Sequence, residues 1–284
     1  MPAAVGCWAR CSLAKRSLFM DAYSPGGINS AKKPTCENRR VTTEPNPNPR
    51  DGGASAADPR DEAPQFVLPL VLRLERATPP ARTDALETAA RAVLTILSDE
   101  RSLGDGEWAA AMHDWQDARI RKVVRRARGA EWRKVQELPG ITVTGTRPED
   151  PAEVRVFPPI PLDGWPKELA KLQVSGTDLE PEGGPAAEPE PSLPVLWLNP
   201  RVEMSAGKAC AQAGHGAQLA WWALSGADRE AWRATGFALA ARVATPGEWR
   251  VLEAAGLPVV HDAGFTEIAP GSATVIADHP ALRR

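Results

Sequence analysis

Three polar side chains share one stripe of a predicted helix. In "MSAGKACAQAGHGA", which starts at Met204, the residues Lys208, Gln212 and His215 are spaced i, i+4 and i+7, so an ammonium, an amide and an imidazole lie on one side. Ser205 is predicted to open this helix, which places Lys208 in its first turn. A helix N-terminus with a lysine attracts anions such as a phosphate or a developing oxyanion. The alternative is a surface lysine that extends into solvent.

The residues between these three are almost all alanine, glycine or cysteine. Such a surface cannot fill a core by bulk, and each glycine costs roughly 0.5–1 kcal/mol of helix stability. It does let the helix backbone come close to a neighbouring layer. We therefore expect the helix to pack tightly against a sheet.

A second segment supplies a carboxylate. The run from Leu257 to Val260 is short, rich in β-branched residues and bounded by glycine and proline, which predicts a buried strand. Alternation along the strand sends His261 and Asp262 to opposite faces, so these two are not expected to form a catalytic pair with each other. Seen alone, the Asp-Ala-Gly sequence at 262–264 is equally typical of a turn cap.

Together the two segments resemble the peptidyl-tRNA hydrolase type 2 family, in which a "GKxAAQxxH" helix precedes a "DAGxTQIAPGSxTV" segment. The resemblance covers about Leu193 to Pro280 and implies an α/β fold, a three-layer sandwich around a small mixed sheet. The chain matches the two motifs, in the family's order, at Gly207, Lys208, Gln212, His215, Asp262, Ala263, Gly264, Thr266, Ile268, Ala269, Pro270, Gly271, Thr274 and Val275.

The resemblance implies hydrolysis of the ester between a peptide and the 3′-terminal ribose of tRNA by an activated water, with no cofactor and no metal. Asp262 is expected to orient or deprotonate the water, with His215 as a relay, and Lys208 to stabilise the oxyanion or hold the terminal phosphate. Two threonines, Thr266 and Thr274, are expected to position water and substrate. The expected substrate contacts are Gly207, Gln212, Gly264 and Glu267.

The chain departs from the family at Glu267, where glutamine is usual, and it ends at Arg284 without the family's C-terminal helix. A carboxylate there puts an anion where a phosphate would pass. Two alternatives to the hydrolase therefore stay open at this point: a non-catalytic tRNA-binding or regulatory protein of the same fold, and an enzyme for small soluble esters.

A degenerate internal repeat is predicted upstream. "LPLVLRLE" from Leu68 parallels "LPVLWLNP" from Leu193, and "PAEVRVFPPIP" from Pro151 parallels "PGSATVIADHP" from Pro270. Between these blocks, the spacing from Trp115 to Trp132 equals that from Trp232 to Trp249.

The repeat predicts two tandem similar domains that form an intramolecular pseudo-dimer. In the first copy the reactive residues are gone, since the aligned blocks place Thr83 opposite Lys208 and Ala90 opposite His215. That copy carries "LDGWPKELAKLQV" from Leu162, which resembles the family's terminal helix. We expect the inactive copy to bury the surface that the other copy would expose.

A basic stretch, "RIRKVVRRAR" from Arg119, aligns with a strand of the second copy. It is therefore predicted to be a strand near an edge, where charge protects it from pairing with other chains. The functional alternative is a salt-sensitive contact with tRNA phosphates through Arg121, Lys122, Arg125 and Arg126.

Composition fits a protein with folded domains and a polar tail. The formal net charge is −2, which argues against non-specific polyanion binding by the whole chain, so any RNA contact must be local. The predicted organisation is a disordered tail at 1–65, a degenerate hydrolase-like domain at 66–174, a Pro/Glu/Gly linker at 175–192 and a catalytic domain at 193–284.

No secretory signal and no membrane-spanning run is recognised in the sequence, and the cytoplasm is the expected compartment. Three cysteines lie in the tail and only Cys210 lies in a predicted domain, so neither a disulfide framework nor a metal site is expected. Cys210 has no base beside it in the predicted helix and is expected to be a small packing residue rather than a nucleophile.

Overall fold

A computed structural model describes residues 64–181, 188–264 and 267–283 of the chain. All described residues belong to one compact unit of the chain. Nearly all of the predicted tail and the predicted catalytic Thr266 lie outside the described residues.

The first half, residues 66–161, contains one small mixed sheet. Its elements, with one short helix that follows the sheet, are β1 (Phe66–Arg73), α1 (Arg82–Ser98), α2 (Ala109–Asp117), β2 (Arg121–Ala127), α3 (Gly129–Gln136), β3 (Ile141–Thr144), β4 (Glu153–Val156), β5 (Ile160–Pro161) and α4 (Lys167–Ala170). Strand β1 pairs in parallel with β2 and antiparallel with β4 and β5, and β4 pairs antiparallel with β3, which gives the order β2-β1-β4-β3.

The second half, residues 195–278, contains a second small mixed sheet. Its elements are β6 (Val195–Leu198), α5 (Ala206–Ala223), α6 (Gly226–Ala234), β7 (Ala240–Val243), α7 (Pro246–Ala254), β8 (Val259–His261) and β9 (Ala273–Asp278). Strand β6 pairs in parallel with β7 and antiparallel with β9, and β9 pairs antiparallel with β8, which gives the order β7-β6-β9-β8.

Apart from β5, the two sheets have the same strand order, the same strand directions and the same order along the chain. Local details agree as well. Trp115 Nε1 donates to Arg121 O at 2.8 Å, and Trp232 Nε1 donates to Ala238 O at 2.9 Å. The residue just before each acceptor residue has a positive φ, 47° at Ile120 and 59° at Phe237.

Helices α1 and α5 lie side by side between the two sheets. Each packs on the sheet of its own half, and each also contacts the edge strand of the other half, α1 against β7 and α5 against β2. One continuous hydrophobic core contains residues of both halves, such as Leu70 and Val93 with Leu196 and Val275. Burial of apolar surface between the halves is therefore part of what stabilises each of them.

Glycines in α5 permit this close packing. A Cβ on Gly214 would lie 2.9 Å from Val93 Cγ2 on α1, and a Cβ on Gly216 would lie 2.8 Å from Val275 Cγ1 on β9. The expectation that small residues bring this helix close to a sheet is confirmed, and they bring it equally close to a second helix.

The outer face of each sheet carries a smaller core centred on a tryptophan. Trp132 of α3 is buried with Val71, and Trp249 of α7 is buried with Ile276. The equal tryptophan spacings in the sequence thus correspond to equal positions in the two halves.

The segment 165–181 differs from its prediction. The "LDGWPKELAKLQV" stretch contains only the one-turn helix α4 where a terminal helix was expected. The linker begins as a packed segment, since Thr177 is 2% and Leu179 is 7% exposed. Among the described residues, no helix is long and apolar enough to cross a membrane.

Candidate functional site

The site lies where the first turn of α5 meets the loop between β8 and β9. Ser205 is the N-cap of α5, as predicted, and its Oγ accepts a hydrogen bond from Lys208 N. This cap satisfies one of the helix's unpaired N–H groups and fixes the third residue of the helix, Lys208, beside the end of β8.

Lys208 and Asp262 converge. Lys208 Nζ lies 2.5 Å from Asp262 Oδ2, and their side chains are 14% and 6% exposed. They are 54 residues apart in the chain, and the tertiary fold alone brings them together. A charge pair this poorly solvated is screened less by salt and water than a surface pair.

Asp262 is held by further hydrogen bonds. Gln212 Nε2 donates to the same oxygen, Oδ2, at 2.8 Å, and Gly264 N donates to Oδ1 at 2.9 Å. Gly264 adopts φ +78°, and a Cβ there would lie 2.3 Å from Pro270 Cγ, so the turn that delivers this N–H requires glycine. The carboxylate therefore has a fixed orientation before any substrate binds.

Thr274 and Gln212 support the carboxylate from inside. Thr274 is 0% and Gln212 3% exposed, and the Thr274 hydroxyl lies 2.6 Å from Gln212 Oε1, to which it donates. With its oxygen occupied in this way, the Gln212 amide directs its N–H toward Asp262. Both were expected to contact substrate or water, but both are buried, and the hydrogen bonds run from Thr274 to Gln212 and from Gln212 to Asp262.

Gly207 is also enclosed. It is buried, and a Cβ there would lie 3.4 Å from Thr177 Oγ1, in the segment that follows α4. The substrate contact expected at Gly207 is therefore not available in this structure, because the chain itself covers that side of the helix.

Glu267 contacts the helix cap. Its Oε1 accepts from both the backbone N and the Oγ of Ser205, at 3.0 Å each. The exposed carboxylate that departs from the family pattern is thus engaged in tying the β8–β9 loop to the start of α5. The sequence contained no indication of this partner.

His215 is directed toward the first half of the chain. Its Nδ1 lies 3.1 Å from Lys122 Nζ, and no hydrogen bond joins it to Asp262 in the described part of the chain. Burial, and then the charges of Lys122 and Lys208, lower the pKa of His215 well below its ordinary value. A relay between His215 and Asp262, as expected from the sequence, is not formed by these contacts.

Lys122 is not part of a phosphate patch. It is 8% exposed, its Nζ donates to Gln218 Oε1 at 2.5 Å and to Ile120 O at 3.3 Å, and burial lowers its pKa well below the ordinary value. Strand β2 is an edge strand, as predicted, but α5 covers this side chain.

The three arginines of the expected patch are partly buried. Arg125 Nη1 donates to Leu172 O and its guanidinium stacks over Trp165 at 4.2 Å, while Arg126 bonds Gln173 and the carbonyl of Ser175. Arg121 bonds Gln65. Arg125 and Arg126 thus fasten the segment after α4 to the sheet edge, which is a structural role for two residues of the basic stretch.

Cys210 is fully buried, and burial raises the pKa of its thiol to about 12. A thiol at neutral pH is a poor nucleophile, so Cys210 is a packing residue. Within the residues that the structure describes, no cluster of His, Cys, Asp and Glu is arranged to hold a metal ion.

Residues 194–284 match the family model described as peptidyl-tRNA hydrolase PTH2. The matched range contains Lys208, Gln212, Asp262 and Thr274, and it leaves out the first half of the chain. A search of the curated proteins gave no match.

Proposed function

We propose that this chain is a peptidyl-tRNA hydrolase, which cleaves the ester between a peptide and the 3′-terminal ribose of tRNA. The observation that carries the proposal is the 2.5 Å pair of Lys208 and Asp262, inside the part of the chain that matches the family. The cytoplasm, where peptidyl-tRNA is found, is the proposed compartment.

Asp262 acts on the water. One of its oxygens is bound by Lys208 and Gln212, and the other accepts from Gly264 N. A carboxylate oxygen accepts more than one hydrogen bond, so Oδ1 can also orient a water and take its proton as the water attacks the ester carbonyl. The bond from that carbonyl carbon to the ribose oxygen then breaks, and the proton taken by Asp262 passes to the ribose oxygen, which gives a free peptide acid, a tRNA hydroxyl and the Asp262 carboxylate again.

Lys208 stabilises the charge that develops on the carbonyl oxygen. An ammonium group has three donors, so pairing with Asp262 is compatible with a second bond to an oxyanion. The first turn of α5 adds its partial positive charge at the same place. Because an ester needs only an oriented water and this stabilisation, the reaction does not require a cofactor.

We also infer that the first half is a degenerate copy of the second, joined to it as a pseudo-dimer. The identical strand order, the two Trp Nε1 hydrogen bonds and the reciprocal packing of each central helix on the other half's edge strand support this. In this proposal the domains are 66–174 and 193–284, each a three-layer sandwich of central helix, sheet and outer helix.

The alternative of a non-catalytic tRNA-binding protein rested on Glu267 and on the inactive first half. The bonds from Glu267 to Ser205 weaken the first argument, because this carboxylate stabilises the helix that carries Lys208. No observation favours an enzyme for small soluble esters.

Release of N-acetylaminoacyl groups from charged tRNA tests the proposal. Lys208→Ala is expected to lower kcat by about 10²–10³-fold, as for loss of an oxyanion donor. Asp262→Asn is expected to lower it by about 10²–10⁴-fold, as for loss of a general base. Lys134→Ala, an exposed lysine on α3, serves as the matched control.

Unfolding curves for all variants separate loss of chemistry from loss of structure, because removing one member of a poorly solvated pair costs as much as about 3–5 kcal/mol. Full activity in folded Asp262→Asn would overturn the assignment of the water-activating group. A wild-type protein that binds charged tRNA without releasing the acyl group would instead establish the non-catalytic alternative.

A further inference from the structure

A cleft of about 360 Å³ lies next to the N-terminus of α5, on the border between the two halves. It opens at the carboxyl ends of the parallel strands β6 and β7, which end at Leu198 and Val243. Its volume is at the lower end of the range for small-molecule sites and suits a single small unit. The apolar part of its wall is formed by Leu198, Pro200, Val202, Met204 and Val243.

The cleft receives a cation from the first half. Arg82 is the first residue of α1, and its Nη2 donates to Met204 O at 3.2 Å, which holds the guanidinium against the loop before α5. In the described residues, Arg82 has no carboxylate within ion-pair distance. A guanidinium has five N–H donors and matches phosphate geometry, and its place in a first helical turn adds positive potential.

The cleft also has one carboxylate, Glu203, whose residue is exposed. No hydrogen bond or salt bridge holds it within the described part of the chain. Carboxylates in nucleotide sites bind ribose hydroxyls, which are good donors. A phosphate-binding cation, a hydroxyl-binding anion and an apolar wall are together the chemistry that recognises a ribonucleotide.

The position of the cleft fits the proposed reaction. Met204 in its wall and Lys208 in the site are four residues apart, on either side of the Ser205 cap. The esterified terminal nucleotide must lie at Lys208 and Asp262 for the reaction to occur. A strand that continues past the start of α5 then brings its preceding nucleotide to the cleft.

We propose that this cleft binds the nucleotide that precedes the esterified one at the single-stranded 3′ end of the tRNA. Arg82 binds its phosphate, Glu203 accepts from its 2′-hydroxyl and the apolar wall covers its base. The inference rests on the proposed function and extends it: the first half, which lacks the reactive pair, contributes a substrate-binding residue to the second.

Binding of the trinucleotide CCA to the full chain provides the first test, with the RNA and the DNA form compared by calorimetry. Arg82→Gln is expected to weaken RNA binding about tenfold, the effect of losing a hydrogen bond to a charged group. Glu203→Gln is expected to reduce the preference for RNA over DNA, because the 2′-hydroxyl distinguishes them. The matched control is Arg133→Gln, an exposed arginine on α3, which should leave binding unchanged.

Turnover of charged tRNA provides the second test. Arg82→Gln should raise KM with kcat unchanged, because the cleft holds a part of the substrate remote from the ester. If wild type hydrolyses charged tRNA while neither Arg82→Gln nor Glu203→Gln alters KM or trinucleotide binding, the subsite is overturned and the proposed function stands. If wild type binds the RNA through Arg82 but releases no acyl group, the proposed function fails and the subsite stands.

Two further results would decide the case. In the first, an N-acetylated amino acid displaces the trinucleotide, and Arg82→Gln weakens the binding of that amino acid as well. The cleft would then bind the peptide side of the ester, and the nucleotide assignment would be overturned. If Arg82→Gln does not fold, Glu203→Gln remains as the test, because Glu203 is exposed. An unchanged preference for RNA over DNA in Glu203→Gln would overturn the proposal.

Discussion

The same corner of the fold is built with opposite charges in the two halves. In both, the third residue of the central helix faces the loop between the third and fourth strands of its half. In the second half this residue is Lys208, paired with Asp262. In the first half it is Asp84, whose two carboxylate oxygens accept from Thr146 N at 3.0 Å and Ala152 N at 2.7 Å.

The difference shows that one topology can hold either a carboxylate that closes a loop or a pair of opposite charges. Asp84 is 1% exposed, and its oxygens are bonded to backbone groups that need a partner in any case, so it closes the loop. A Cβ on Gly145 would lie 2.0 Å from Asp84 Oδ2, which shows how tightly that loop is drawn in. In the second half two side chains with reactive groups meet at the corresponding place.

The largest effect on stability is expected when Asp84 is removed. Asp84→Ala leaves two loop N–H groups without their acceptor, at about 1–3 kcal/mol each, so the free energy of unfolding should fall by about 2–6 kcal/mol. Urea unfolding measures this loss, and activity per folded molecule should be unchanged. Asp84→Asn, which retains a carbonyl acceptor, should lose less. An equal loss of catalytic rate in folded Asp84→Ala would show that the two corners are not independent.

A pH effect is expected from the polar contact that joins the halves. Burial lowers the pKa of both Lys122 and His215, so the unfolded chain binds more protons than the folded chain. Stability therefore rises with pH, from the lowered pKa up to about 6.5 for His215 and up to about 10.4 for Lys122, by at most about 1.4 kcal/mol per pH unit for each group.

Urea unfolding between pH 5 and 10 measures this rise. His215→Gln should remove the part below about 6.5 and Lys122→Met the part above it. A stability curve with the same slope in both variants and the wild type would contradict the placement of these groups at the interface.

The two tryptophan hydrogen bonds offer a direct comparison of the halves. Trp115→Phe and Trp232→Phe each remove one Nε1–H donor from a carbonyl six residues later. Each variant is expected to lose at least about 1–2 kcal/mol, because a partly buried hydrogen bond is lost and the smaller ring leaves space in the core. Thermal unfolding of both variants checks the equality. A loss of stability in only one of the two variants would show that the two hydrogen bonds, although alike in geometry, do not contribute equally to stability.

The smallest effect is expected at Glu267. In Glu267→Gln the amide oxygen can still accept from Ser205, so the free energy of unfolding should change by about 0.5 kcal/mol or less. Ser205→Ala, which removes the cap itself, should cost about 0.5–2 kcal/mol. Calorimetric Tm values distinguish these cases. A loss in Glu267→Gln as large as in Ser205→Ala would mean that its charge, and not its oxygen, stabilises the helix.

Much of the fold was predictable because its patterns are local. The Ser205 cap and the following helix follow from residue type and spacing, and so does the strand before Asp262, which was predicted at 257–260 and lies at 259–261. Strand β2 was predicted by alignment of the two tryptophan blocks. The convergence of Lys208 and Asp262 could be predicted only from the order of the two family motifs. The spacing of two residues along the chain does not give the distance between them in space.

The register of the repeat was less accurate. The aligned blocks place Pro69 opposite Pro194, but Pro69 pairs with Val123 and its counterpart Val195 pairs with Ala240. The tryptophan spacing matches Val123 with Ala240, so Pro69 corresponds to Val195 and not to Pro194. The predicted alignment of the first strand is therefore wrong by one residue. A shift of one reverses the face of every side chain in a strand, so pairing with neighbouring strands, and not the similarity of two apolar runs, determines the register.

By itself, the sequence determined that α5 begins after Ser205, that a strand precedes Asp262 and which side chains could react, because these depend on neighbours within a turn or two. The tertiary structure alone decided that Lys122 lies inside, that His215 contacts the first half, that Thr274 and Gln212 support Asp262 from behind, and that Arg82 reaches the second half. Burial and partner choice depend on contacts between residues distant in the chain, and no local pattern encodes those.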